Sequence, residues 1–249
     1  MSDEVVHPPT WKPGARVVVL TGAGISQESG IRTFRDGDGL WEEHRIEEVA
    51  TPSAWRRDPE LVWRFYQLRR AQLQEVAPNP AHHALRTLED ALADRLMIIT
   101  QNVDDLHERA GSTRLIHMHG ELRKLRCEWC GVVDVRMEPG HLIPTQYVPC
   151  VSCEHERMRP HIVWFNEVPF GMDDILERTA TCDIFVSIGT SGHVHPAAGL
   201  IDLAKRNGAR CIGVNLEPPR NLAKYDEFHL GRAGEMLPDL IDAWIGNSM

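Results

Sequence analysis

The chain has 249 residues, a formal net charge of −9, 42% hydrophobic residues and 25% charged residues. This length suits one large domain with a small insertion, and the composition excludes a disordered or collagen-like chain. No apolar run reaches the ~18–20 residues of a membrane span, and the acidic balance argues against a broad nucleic-acid surface, because phosphate binding needs clustered lysine and arginine. Residues 1–14 form a polar tail without the apolar core of a secretory signal, so we expect a cytoplasmic protein that binds neither membrane nor nucleic acid directly.

Short β-branched runs alternate with helical periodicities along the rest of the chain. Strands are expected at Arg16–Thr21, Leu96–Thr100, Ile184–Ile188 and Arg210–Val214. Helices are expected at Glu60–Val76, Ala81–Ala93, Pro196–Asn207 and Pro238–Ile245. This alternation predicts an α/β fold with a doubly wound parallel sheet.

Two glycines, Gly22 and Gly24, follow the first predicted strand and precede an expected helix. Glycines at such a turn let the backbone approach a pyrophosphate, and a helix N-terminus favours the negative charge. The common fingerprint G-x-G-x-x-G requires a third glycine where this chain has Gln27. A tight strand-to-helix turn without a ligand therefore remains an alternative.

Polar residues also follow the other predicted strands. They are Gln101-Asn102-Val103-Asp104, His117-Met118-His119-Gly120, Gly189-Thr190-Ser191 and Asn215-Leu216-Glu217. Each segment alone is compatible with a helix cap, an ordinary histidine or a loop. Because the carboxyl ends of parallel strands share one edge, the four together favour a ligand site there. A histidine at such a site suits general-base chemistry near neutral pH.

Residues 121–159 interrupt the alternation and contain two C-x-x-C pairs. The pairs are Cys127 with Cys130 and Cys150 with Cys153. Their separation matches the ~15–20 residues of a zinc ribbon, and four thiolates leave no open position for water, so we expect a structural Zn²⁺. Four free thiols are the alternative, and a redox-active pair would not explain the second one. Cys182 and Cys211 flank apolar strands and are expected to be ordinary buried thiols.

Taken in chain order, these segments resemble the sirtuins, a family of NAD-dependent protein-lysine deacylases. The resemblance covers about residues 16–244 and is strongest to bacterial class III sirtuins, which remove negatively charged acyl groups. It rests on GAGIS at 22–26, SGIRTFR at 29–35, QNVD at 101–104, HMHGEL at 117–122, the two C-x-x-C pairs, GTS at 189–191 and NLE at 215–217.

The resemblance implies a Rossmann-like NAD-binding domain formed by residues 15–120 and 160–249. A smaller zinc module comprises residues 121–159, with its helical part within residues 36–80. It also implies NAD as a consumed co-substrate, structural Zn²⁺, and acylated lysine side chains of proteins as partners. In the family's reaction, the acyl oxygen attacks C1′ of the nicotinamide ribose, and a ribose hydroxyl then attacks the resulting imidate. The products are free lysine, nicotinamide and an O-acyl-ADP-ribose.

Site residues follow from the same resemblance. His119 matches the general base, whereas His117 does not, and Asn102 matches a second catalytic residue. Val163, Trp164 and Phe165 match the segment that pairs with the substrate backbone, although the next residue is Asn166 where many relatives carry glycine. The residues that match NAD contacts are Gly22, Ala23, Gly24, Ser26, Phe34, Arg35, Trp41, Gln101, Asn102, Asp104, Gly189, Thr190, Ser191, Asn215, Leu216, Glu217 and Ala233.

Tyr66 and Arg69 are three residues apart on a predicted helix and therefore share one face. A phenol and a guanidinium together suit a carboxylate. In class III sirtuins this pair binds the distal carboxylate of succinyl- or malonyl-lysine, so the resemblance implies desuccinylase, demalonylase and deacetylase activity. From the residues alone, a solvated basic helix face with Arg64 and Arg70 is the alternative.

Two other functions remain as alternatives. A mono-ADP-ribosyltransferase would also cleave NAD, but it has no need of a group that binds an acyl carboxylate. A non-catalytic NAD- and zinc-containing scaffold would not need His119, Asn102 and Asp104.

Overall fold

The computed structural model describes residues 14–31, 40–41, 44–219 and 221–246. The strands are β1 Val17–Thr21, β2 Leu40–Trp41, β3 His44–Arg45, β4 Leu96–Thr100, β5 Leu115–His117, β6 Gly120–Arg126, β7 Val133–Val135, β8 Arg159–Ile162, β9 Ile184–Ile188, β10 Arg210–Asn215 and β11 Glu227–Leu230. The helices are α1 Ile46–Val49, α2 Pro52–Arg57, α3 Pro59–Gln72, α4 Pro80–Leu92, α5 Leu106–Arg109, α6 Met172–Thr181, α7 Leu200–Arg206 and α8 Ala233–Gly246.

Six parallel strands form the main sheet in the order β11-β10-β9-β1-β4-β5. All five residues of β1, β4 and β9 are buried, as their apolar runs predict for central strands of a parallel sheet. Thr21 is in register with both Thr100 and Ile188. The carboxyl ends of these three strands therefore meet at one edge, and the predicted α/β fold is confirmed.

Helices cover both faces of this sheet. On one face, α4 and α8 pack against β1 and β4 through residues such as Leu88 and Trp244. On the other face, α6 and α7 contribute Ile175 and Ile201. Both faces are thus apolar, which leaves the strand ends and the loops after them as the polar part of the sheet.

A second core lies under a three-stranded antiparallel sheet with the order β7-β6-β8. It joins Trp55 and Trp63 of α2 and α3 to Leu125 of β6, Ile162 of β8 and the cysteine Cys127. Residues before β4 and residues after β5 therefore share one apolar cluster. The exact domain boundaries expected from the sequence stay a prediction.

Several expected elements differ in the structure. The helix expected at 60–76 ends at Gln72, and the helix expected at 196–207 begins at Leu200 after a 3₁₀ turn. The helix expected at 238–245 begins at Ala233, because Met236 N already donates to Arg232 O at 3.0 Å. Pro238, which would suit a first turn, lies inside that helix. The helix expected directly after Gly24 is replaced by two 3₁₀ turns, Ala23–Ile25 and Gln27–Ser29. No helix among the described residues is long and apolar enough to cross a membrane.

Candidate active site

A cleft of about 610 Å³ lies along the carboxyl edge of the main sheet. Residues that follow the five strands β1, β4, β5, β9 and β10 line it on one side. Residues of α3 and residues after β8 line it on the other. The lining includes nineteen predicted residues, namely Gly22, Ala23, Gly24, Ser26, Tyr66, Arg69, Gln101, Asn102, Asp104, His119, Val163, Trp164, Phe165, Gly189, Thr190, Ser191, Asn215, Leu216 and Glu217. Residues far apart in sequence thus meet at one site.

Four further predicted NAD residues are Ala233, Phe34, Arg35 and Trp41. Ala233 lines a smaller adjoining cavity together with Gly24 and Asn215. Phe34 and Arg35 lie outside the described residues, and of Trp41 only the backbone, in β2, is described.

The glycines after β1 allow the loop after β9 to approach closely. A Cβ atom on Gly22 would lie 2.7 Å from the carbonyl oxygen of Gly189, and one on Gly24 would lie 2.7 Å from the Gly189 Cα. Gly24 N also donates to Gly189 O at 3.0 Å. The glycines therefore have a packing role between two cleft-lining loops, and a third glycine at position 27 is not needed for it.

Asn102, Ser26 and Asp104 form a hydrogen-bonded chain at the floor of the cleft. Asn102 Nδ2 donates to Gly22 O at 3.1 Å and to Ser26 Oγ at 3.0 Å. Ser26 Oγ in turn donates to Asp104 Oδ2 at 3.0 Å. Burial raises the pKa of Asp104 to about 6, against the hydrogen bonds that it accepts. This chain locks the loop after β4 onto the loop after β1.

The ring of His119 is held in its neutral form. Its Nδ1 lies 3.0 Å from Gln101 O, and since a carbonyl can only accept, Nδ1 carries the proton. The basic nitrogen is then Nε2. Burial lowers the pKa of His119 more than this hydrogen bond raises it, so the ring is neutral at pH 7.

His117 has a different environment, although it lies two residues away. Its Nε2 lies 2.7 Å from Glu108 Oε1, and its Nδ1 lies 3.3 Å from Asn102 O. Burial acts to lower the pKa of His117, but the hydrogen bond and charge of Glu108 raise it overall. With both nitrogens engaged by acceptors, His117 has no nitrogen available as a base.

Tyr66 and Arg69 project from α3 into the cleft. Asp58 caps this helix by accepting from Leu61 N at 3.0 Å. Tyr66 is fully buried and Arg69 is 7% exposed, with its guanidinium carbon 4.0 Å from the centre of the Phe65 ring. Burial raises the pKa of Tyr66 above its usual value, so the phenol keeps its proton.

The alternative of a solvated basic face is wrong for most of this helix. Arg64 is exposed, but Arg70 is fully buried and donates to Gln67 Oε1 at 2.7 Å. Arg69 therefore differs from its neighbours, because it is a buried cation that borders the cleft.

The segment after β8 has its backbone donors engaged inside the chain. Val163 N donates to His119 O at 2.9 Å, and Phe165 N donates to Ala50 O at 3.0 Å. Trp164 N donates to Glu167 Oε2 at 2.9 Å. The backbone N–H groups of these three residues are therefore not available to a further strand. Asn166, with φ of +74°, has the left-handed conformation that asparagine tolerates better than most residues.

Four cysteine sulfurs come together beside β6. Cys127 Sγ and Cys153 Sγ are 3.6 Å apart, as are Cys130 Sγ and Cys150 Sγ. Zn–S bonds of ~2.3 Å in a tetrahedron put neighbouring sulfurs about 3.8 Å apart, so the four thiols fit a zinc ion. Cys182 and Cys211 are buried, as expected.

Several cleft residues carry no signal that sequence patterns could detect. Ala50 and Ile31 line the cleft, and so do Leu73 and His195. Ala50 and Ile31 are apolar residues in connecting segments, where neither periodicity nor chemistry distinguishes them from other loop residues. Only contacts between distant segments reveal them.

Comparisons with known proteins agree on one family. A family model described as "Sir2 family" matches residues 22–196. An NAD-dependent protein deacylase of Yersinia pestis is 56% identical over 228 residues, which is 90% of this chain and 81% of that protein. One from Escherichia coli (strain K12) is 52% identical over 243 residues, covering 96% of this chain and 85% of that protein.

Solved structures agree with these sequence relatives. The crystal structure of a Sir2 homolog–NAD complex superposes with a TM-score of 0.85 at 38% identity, covering 94% of this chain and 90% of that one. The structure of Sir2Af2 bound to a myristoylated histone peptide has a TM-score of 0.73 at 33% identity, covering 92% of this chain and 90% of that one.

Proposed function

The chain belongs to the Sir2 family and is an NAD-dependent protein deacylase, and we propose that it removes succinyl and malonyl groups, as well as acetyl groups, from protein lysines. The observation that carries this proposal is the presence of Arg69 and Tyr66 in the same cleft as His119. A carboxylate at the end of the acyl chain would meet a buried guanidinium and a protonated phenol. Both groups donate hydrogen bonds, and arginine adds a full positive charge.

His119 would act as the general base. When bound, NAD supplies the ribose carbon that receives the acyl oxygen and the nicotinamide that leaves. The neutral imidazole, with its proton on Nδ1 and Gln101 O as acceptor, can take a ribose hydroxyl proton at Nε2. The buried setting keeps this nitrogen unprotonated at neutral pH.

Asn102 and Asp104 would hold the nicotinamide end. Asn102 uses both hydrogens of Nδ2 on Gly22 O and Ser26 Oγ, so its Oδ1 is the atom that can accept from a ligand. Asp104 can accept from a carboxamide N–H when it is ionised. The strand-end residues Thr190, Asn215 and Glu217 would contact the adenosine half.

The four cysteines would hold Zn²⁺ away from the reaction. Cys127 follows the end of β6, and its side chain is part of the core shared with α2 and α3. The metal would therefore stabilise the small antiparallel sheet and, through that core, the helix that carries Tyr66 and Arg69.

Arg69→Met tests the acyl preference. Loss of a charged hydrogen-bonding partner should lower kcat/KM for a succinyl-lysine peptide about 10- to 100-fold. The matched acetyl-lysine peptide has no distal carboxylate, so its kcat/KM should change little. Arg64→Met, on the exposed side of the same helix, is the control and should leave both activities unchanged. Equal losses of both activities in Arg69→Met would overturn the proposal.

A further inference from the structure

We propose that Glu28 is a positioning residue of the NAD site. Its carboxylate holds the first turn of α8 against the loop after β1. This inference rests on the proposed NAD site, because the resemblance to the sirtuins matches Ala233, in that first turn, to a backbone contact on the adenine side. Glu28 itself matches none of the predicted ligand contacts.

The central observation is a hydrogen bond between segments 206 residues apart. Gly234 N donates to Glu28 Oε2 at 2.7 Å. The first backbone N–H groups of a helix have no partner within the helix, and an anion near this end is favoured by the helix dipole. Arg232, which precedes α8, has no side-chain acceptor to supply such a cap. The carboxylate of Glu28 therefore supplies it from the opposite end of the chain.

The absence of a side chain at Gly234 leaves room for the Glu28 carboxylate. A Cβ atom on Gly234 would lie only 2.2 Å from Glu28 Oε2. Any larger residue at position 234 would therefore displace the carboxylate, although the backbone there is helical and has no need of glycine. Glycine thus lowers the stability of the helix at this position but allows the contact with Glu28.

The second carboxylate oxygen indicates a role beyond stability. Glu28 Oε1 is buried and has no hydrogen-bond partner among the described residues. Burying an acceptor without a hydrogen-bond partner costs free energy of folding. A carboxylate that only stabilised the fold would therefore be expected to have both oxygens hydrogen-bonded. Glu28 and Ala233 both line the small cavity that adjoins the main cleft.

Glu28 also lies between two anchored residues of the loop. Ser26 belongs to the hydrogen-bonded chain with Asn102 and Asp104, and Ser29 Oγ accepts from Asn79 Nδ2 at 3.0 Å. A loop held on both sides cannot follow α8 if the cap is lost. Breaking the cap should therefore shift Ala233 relative to the rest of the NAD site and weaken binding of the adenine half.

Two variants break the contact from opposite sides. Glu28→Ala removes the acceptor, and Gly234→Ala pushes it away while favouring the helix. We expect each to raise the Kd for ADP-ribose, measured by calorimetry, about tenfold, equivalent to ~1.4 kcal/mol. Gly234→Ala should not lower the thermal unfolding midpoint. Glu28→Gln keeps one acceptor oxygen and should restore most of the affinity.

Glu235→Gln is the matched control, because it removes a carboxylate from the same helical turn that lies 3.8 Å from the Arg232 guanidinium. It should bind ADP-ribose as the wild type does. In turnover, the two disrupting variants should raise KM for NAD and leave KM for the acyl peptide unchanged. If Gly234→Ala binds ADP-ribose as tightly as the wild type does, the positioning role of Glu28 is wrong, whereas the proposed NAD site stands. A wild-type protein that binds no ADP-ribose would overturn the proposed NAD site and this inference with it.

Discussion

The indole nitrogen of Trp164 donates a hydrogen bond of 3.0 Å to the phenol oxygen of Tyr66. Because an indole N–H can only donate, the phenol oxygen is the acceptor of this bond. Trp164 is fixed in turn, since the Arg159 guanidinium carbon lies 3.4 Å from the centre of the indole ring. The segment proposed to pair with the substrate backbone thus also orients a group proposed to bind the acyl carboxylate.

Trp164→Phe should remove the orientation of Tyr66 while it keeps the backbone segment proposed to pair with the substrate. The variant keeps an aromatic ring but loses the donor, so the orientation of the Tyr66 hydroxyl is no longer set. We expect kcat/KM for a succinyl-lysine peptide to fall about three- to tenfold, the size of one neutral hydrogen bond, with deacetylation less affected. Trp55→Phe is the control, because it removes an indole hydrogen bond to Glu128 without bordering the cleft. Equal losses on both peptides would contradict the orienting role.

His119→Tyr should abolish deacylation while NAD still binds. The variant removes the only nitrogen proposed as base but leaves the strand-end residues that would hold the cofactor. Turnover of an acyl peptide and calorimetric binding of NAD measure the two properties separately. His83→Tyr, at an exposed position on α4, should retain both. Residual turnover near the wild-type rate in His119→Tyr would show that another group is the base.

Nicotinamide inhibition should depend on pH through Asp104. Burial raises the pKa of this carboxyl to about 6, so it becomes protonated as the pH falls through that value. A protonated carboxyl is a poorer acceptor for a carboxamide N–H, and the inhibition constant for nicotinamide should rise below about pH 6. Asp104→Asn should lose this dependence. A wild-type inhibition constant that is constant from about pH 5.5 to 8 would argue against Asp104 as a nicotinamide ligand.

Zinc content should depend on the four clustered cysteines alone. Cys130→Ser removes one of the four thiols and should lower the bound metal, measured by atomic emission, together with the thermal unfolding midpoint. Cys182→Ala, in the core of the main sheet, should retain the wild-type zinc content. Wild-type protein that is purified without a chelator and contains no zinc would contradict a structural metal site.

Sequence patterns predicted the elements that depend on residues close together in the chain. The buried runs of β1, β4, β9 and β10 follow from their apolar residues, and the topology of a parallel sheet then brings their polar ends together. The spacing of Tyr66 and Arg69 predicted that they share a face of α3, but it did not predict their burial. The four-cysteine cluster follows from its two C-x-x-C pairs.

Contacts between distant segments could not be predicted in this way. The first turn of α8 donates from Gly234 N to Glu28, which lies near the other end of the chain, so this contact has no local signal. The 3₁₀ turns after Gly24 and the edge strand β11 have no periodicity that distinguishes them from loops. Ala50 borders the cleft only because the second core folds back over the sheet edge.

A competition between two substrates tests the central claim most directly. Wild-type protein would be mixed with NAD and equal amounts of matched acetyl- and succinyl-lysine peptides, and the products would be followed by mass spectrometry. We expect both peptides to yield free lysine, with formation of O-acetyl- and O-succinyl-ADP-ribose only when NAD is present. In Arg69→Met, cleavage of the succinyl peptide should slow about 10- to 100-fold relative to the acetyl peptide. Consumption of NAD with ADP-ribose attached to protein, or cleavage of the acetyl peptide alone, would contradict an acid-acyl deacylase.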